Sequence, residues 1–136
     1  MIKGNINVRQ FPEHDLEGWW NKMQLFHPKT DLDGTTLYMD LDVVITENID
    51  CFFTYKPDMM FVGMNDFNPT TQAWNSSIFK FNKEFNLSGE LWYPWMSDRT
   101  MMLRRFPGDQ NYISDKLKNK PGCDSYPDSW TQSYKW

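Results

Sequence analysis

Cysteine is scarce in this sequence. Cys51 and Cys123 are the only two among 136 residues, and no CxxC pair exists. That usage excludes a disulfide-stapled scaffold and a cysteine-rich zinc site, and fits a reducing compartment. Histidine is equally rare, and His14 and His27 lack the spacing of a metal pair, which argues against zinc-hydrolase chemistry. Clustered positive charge is missing too. The longest basic run is Arg104-Arg105 in a chain of net charge −4, so no nucleic-acid partner is expected. No apolar run approaches the ~20 residues that span a bilayer, so no membrane span is expected. The opening MIKGNINVRQFPEHD lacks the apolar core of a signal peptide, and the expected location is cytoplasmic. There is no GxSxG and no Walker P-loop.

What is abundant is apolar and aromatic material. Forty per cent of residues are hydrophobic and 17% aromatic, with 7 Trp and 9 Met. That is enough for one core, and residues 1–136 are expected to form one domain, with part of the aromatic surface lining a cleft. Ile2, Ile6 and Val8 alternate with polar residues as in a short strand or extended arm. Asp15 reads as the N-cap of an amphipathic helix over 16–26, where Leu16, Trp19, Trp20, Met23 and Phe26 recur at helical spacing and Pro28 ends it. Strands are expected at TTLYMDLDVV, MMFVGM and SSIFKFN, the third beside the first, with one helical turn at NIDCFF. A short helix near 97–104, a helix over 108–118 and one or two short strands after 119 complete the reading. Strands alternating with helices make the class α/β.

The stretch LYMDLDVVI (37–45) stands out, because two carboxylates interrupt an apolar run. Burying an unpaired carboxylate costs about as much as a whole domain has to spare. On a strand, residues i and i+2 share a face, so Asp40 and Asp42 could converge on one hard divalent cation. A solvated strand end would explain the pair equally well. Trp74-Asn75-Ser76-Ser77 opens a strand with short donors and acceptors suited to sugar hydroxyls, or to satisfying the turn itself. Gly108-Asp109-Gln110 starts a helix with an acid and an amide, which could bind a polyol or simply cap the helix. Lys22, beside two tryptophans, and Lys135, in Tyr134-Lys135-Trp136, could reach a phosphate or lie solvated.

The order of these pieces resembles the GT-A glycosyltransferases, within them the glycogenin-like retaining branch, and most closely small glycosyltransferase-like proteins common in bacteria and phages. Lys22 precedes an apolar helix end, followed by LYMDLDVVI, WNSSIFKF, GDQNYIS and YKW, over roughly residues 16–136. The resemblance implies a truncated GT-A-like mixed sheet flanked by helices. It implies a metal-dependent transfer of a sugar from a nucleotide-sugar donor to a glycan, lipid or protein acceptor. Asp40 and Asp42 would hold Mn²⁺ or Mg²⁺. Lys22, Asn75, Ser76 and Lys135 would bind the donor, and Asp109 and Gln110 would sit at the reacting carbon. The departures are specific. No histidine follows His27 to serve as third metal ligand, Ser77 stands where the family often has glycine, and YKW lacks the family's proline. Only 39 residues precede Asp40, too few for the family's base-binding βαβ unit. A fragment, a partner chain or second copy covering the missing half, or a non-catalytic sugar- or nucleotide-binding remnant would each account for that.

Overall fold

A computed structural model describes residues 7–12 and 15–134. His14, Lys135, Ile2 and Ile6 lie outside the described residues. Val8, the remaining residue of the expected N-terminal strand, is exposed and not in a strand. The elements in chain order are a 3-10 helix at Gly18–Phe26, β1 (Thr35–Met39), α1 (Asp50–Thr54), β2 (Phe61–Asn65) and β3 (Trp74–Asn82). A π-turn at Ser88–Trp92 follows, then α2 (Tyr93–Ser97), α3 (Arg99–Arg105), α4 (Asp109–Leu117), β4 (Cys123–Ser125) and a 3-10 turn at Asp128–Trp130.

The fold is a mixed α/β domain built on one four-stranded sheet in the order β1-β3-β2-β4. β3 pairs antiparallel with β1, Thr35 opposite Asn82 through Met39 opposite Ile78, so the third strand does lie beside the first. β2 runs antiparallel on the other side of β3, and β4 adds parallel to β2. The β2–β3 register shifts between Gly63 and Met64. There the Trp74 ring crosses so close to the backbone that a Cβ on Gly63 would lie 2.7 Å from it, a contact only glycine permits.

Alternation along β3 divides the core. Phe79 and Phe81 join Phe26, Phe61, Trp95 and Tyr112 on one face, against the first 3-10 helix, the π-turn and α4. Ile78 faces the other way, with Phe52, Val62, Met64 and Tyr126. Lys80, 1% exposed, belongs to that second layer. Its ammonium donates to the carbonyls of Phe53 (3.1 Å), Tyr55 and Lys56 (3.2 Å), closing the C-terminal end of α1. Among the described residues no carboxylate pairs with it, and burial holds its pKa below the usual lysine value.

The first helix departs from expectation in its winding. Trp20, Met23 and Phe26 are buried and spaced by three, a period that a 3-10 helix stacks in one line and an α-helix does not. Glu17 rather than Asp15 precedes it, with no side-chain cap, and Gly18 takes φ +55°. Asp15 instead pairs with Arg99 at 2.6 Å. The patch LWYPW mostly enters the core, with Leu91, Trp92 and Trp95 buried and Tyr93 exposed. Among the described residues no helix is long and apolar enough to cross a membrane.

Candidate functional site

β1 stops at Met39, one residue short of the first carboxylate. Asp40 still donates its N–H to Ser77 O (2.9 Å), but its carbonyl then accepts from Val43 N (3.2 Å), so the chain turns through Leu41 and Asp42. The same-face relation expected of Asp40 and Asp42 therefore does not arise: i and i+2 share a face on a strand, not through a turn. Asp40 is half-buried and turns toward the protein, while Asp42 is exposed and lines a cavity.

The inward side is organised around Lys22. The 3-10 helix sends its ammonium to Asp40 Oδ1 (3.1 Å) and Oδ2 (3.2 Å), Ser76 Oγ (2.9 Å), Ser76 O (3.1 Å) and Asp109 Oδ2 (3.4 Å). Tyr38 O–H donates to Asp40 Oδ1 at 2.6 Å, and the Lys22 ammonium lies 5.4 Å from the centre of the Tyr38 ring. Burial, and then the hydrogen bond to Asp40, push the Tyr38 phenol well above its usual range. Asp109 occupies the first turn of α4, where the helix dipole favours an anion. It is 4% exposed, and its Oδ2 accepts no hydrogen bond among the described residues. The ion pair with Lys22 is what compensates it.

Beside this cluster lies a cavity of about 910 Å³, bounded by the segment after β1, by α1 and by residues 129–134. Asp42, Asp66, Asn75 and Ser77 line it; Lys22, Asp40, Ser76 and Asp109 do not. Asn75 and Ser76, expected to share one pocket, are separated by strand alternation: Ser76 is buried against Lys22, while Asn75 and Ser77 face the cavity. Asn75 Oδ1 also accepts from Ser77 N (2.9 Å), serving the strand start. Gln110 stands one contact back from the cavity, its amide donating weakly to Asp66 Oδ2 at 3.4 Å. His27 is structural: it is buried, its Nδ1 accepts from Lys29 N (2.9 Å), and its ring meets Trp92 edge-on.

Asp40 and Asp42, the pair assigned to a divalent cation, have different surroundings. Asp40 already receives Lys22 and Tyr38, and a metal there would have to displace the ammonium. Among the described residues no group of three or more His, Cys, Asp or Glu side chains is arranged to hold a metal. Tyr38, Asp66 and Trp130 are functional candidates that the motif reading missed. Tyr38 sits two residues before Asp40 in the stretch that drew attention, whereas no local signal marks the other two.

No family model matches the chain, and neither a curated protein nor a solved structure matches it.

Proposed function

We propose that the chain handles sugars as the core of a GT-A-like glycosyltransferase, taking a nucleotide-sugar donor. The observation that supports this reading is convergence. Lys22, Asp40, Ser76 and Asp109 come from four separate segments and meet within 3.4 Å of one ammonium. Beside them Asp42 and Asn75 line a cavity at the large end of the range for small-molecule sites. The polar groups on its wall, set among apolar side chains such as Val43, Met64 and Phe67, are acceptors and short donors suited to hydroxyls. The chain's own residues would position a sugar; Lys22 would hold Asp40 and Asp109 in place rather than touch the donor.

A second reading, binding without turnover, has its own support. The carboxylates best placed for chemistry by sequence order, Asp40 and Asp109, share the single ammonium of Lys22 and are set back from the cavity. One experiment separates the two. The full chain is incubated with UDP-glucose and GDP-mannose, with and without Mn²⁺ or Mg²⁺, and release of the nucleoside diphosphate is measured. Release that disappears in Asp42→Asn, a variant of an exposed turn residue, supports transfer. Binding of the nucleotide sugar with no release supports the second reading, and neither binding nor release sinks both.

A further inference from the structure

The cavity has a charge character that its neighbourhood does not. Asp42, Glu47 and Asp66 line it, and among the described lining residues there is no lysine, arginine or histidine. A cleft lined by one sign of charge focuses that field and repels ligands of the same sign.

The uncharged lining is mixed: Met39, Val43, Ile45, Phe52, Met64 and Phe67 give it apolar surface of the kind the C–H face of a sugar ring can lie on, and the polar remainder points to a ligand class. Asn48, Asn75, Ser77 and Gln132 offer amides and hydroxyls, and carboxylates accept from paired hydroxyls. Trp130 supplies an aromatic surface that is already fixed, stacked on Tyr126 and edge-on to Phe52 and Tyr55. Holding that ring in place beforehand reduces the ordering cost of binding.

We propose that this cavity binds an uncharged oligosaccharide and disfavours free anions, nucleoside diphosphates included. The inference rests on the sugar-handling reading above, but it assigns the cavity to the neutral partner of the reaction rather than to the nucleotide.

The test is a glycan array probed with the full chain in EDTA, carrying neutral, sulfated and amine-bearing oligosaccharides, followed by calorimetry of hits alongside UDP and GDP. Neutral glycans should bind, with sulfated counterparts weaker by about tenfold or more. Their affinity should change less than about twofold between about 0.1 and about 1 M salt, over which the screening length falls from about 10 to about 3 Å. Asp42→Asn/Asp66→Asn should narrow the gap between neutral and sulfated ligands. Trp130→Ala should weaken neutral binding. Because Trp130 also packs on Phe52 and Tyr126, Ser77→Trp is the second variant: it fills the cavity from β3 and should abolish binding in a chain that folds. Preference for sulfated over neutral glycans, tight UDP or GDP binding in EDTA that Ser77→Trp removes, or no neutral hit at all would overturn the proposal, whereas amine-bearing glycans binding at least as well as neutral ones would agree with the carboxylate lining. Neutral binding without nucleotide-sugar turnover would keep it and remove the transfer reading. Turnover with no neutral binding would do the reverse.

Discussion

Replacing Lys22 with methionine would keep most of the aliphatic stem and remove the ammonium that Asp40 and Asp109 share. The side chains involved are well shielded, 11% exposed for Lys22, 25% for Asp40 and 5% for Asp109. Asp109 suffers most, since Oδ2 has no hydrogen bond among the described residues to fall back on. Stranding one member of a buried ion pair costs about 3–5 kcal/mol, against about 5–15 kcal/mol for a whole domain. A loss of about 4 kcal/mol at a urea slope of about 2 kcal/mol/M moves the midpoint down by about 2 M. Tryptophan fluorescence suits the measurement, with 7 Trp in the chain and Trp20 two residues from the substitution. Lys22→Met/Asp109→Asn should recover part of the loss, because the stranded charge is gone, with a coupling of about 1–3 kcal/mol. A loss below about 1 kcal/mol, the scale of an exposed pair, or strictly additive substitutions, would show that water reaches the cluster and would refute the reasoning.

Three further outcomes are expected. Lys80 titrates below its ordinary 10.5 in the folded chain, so the unfolded state holds more protons between that lowered value and 10.5. Its contribution to stability therefore rises with pH across that window, and the urea midpoint of wild type should climb relative to Lys80→Met as pH approaches 10.5; a flat difference would mean an already solvated ammonium. Gly63→Ala forces a Cβ to 2.7 Å from the Trp74 ring and should cost about 1–3 kcal/mol in chemical denaturation, as overpacking does. Tyr38, Tyr112 and Tyr126 all ionise above the usual 10.0, chiefly through burial, so an alkaline absorbance titration should leave three of the 6 tyrosines protonated until the chain unfolds.

Much of the scaffold was legible because strands announce themselves by alternation. SSIFKFN falls inside β3, MMFVGM overlaps β2, and Ile113 and Leu117 mark the buried side of α4. The winding of the first helix was not, because periods of 3 and 3.6 are hard to tell apart over nine residues. The strand end at Met39 was missed because Asp40 to Ile45 keeps the composition of a strand while the backbone turns away; Leu41, Val44 and Ile45 are exposed. At the site, the order of motifs brought Lys22, Asp40, Ser76 and Asp109 together on the page, and these four do meet. The split between an inward ion cluster and an outward cavity was illegible, since it depends on a one-residue alternation in β3 and on where β1 ends. Lys80 reads as an ordinary polar strand residue, and only the arrival of α1 over β3 makes it a cap. Trp130 and Asp66 are joined to the cavity by folding alone.

The parallel pairing of β4 with β2 has a kinetic consequence. β1, β2 and β3 come from one contiguous stretch and can zip together early, whereas β4 must return from beyond four helical segments to find Phe61, Val62 and Gly63. Contacts so distant along the chain carry a larger loop-closure cost and form late. The segment that follows β4 is anchored by Tyr126, whose N–H reaches Gly63 O (2.9 Å) and whose O–H reaches Phe52 O (2.9 Å), and it carries Trp130 to the cavity wall. Slow refolding phases and early hydrogen exchange should therefore concentrate in residues 123–134. An occupant of the cavity would be expected to slow that exchange without touching the opposite, aromatic face of the sheet.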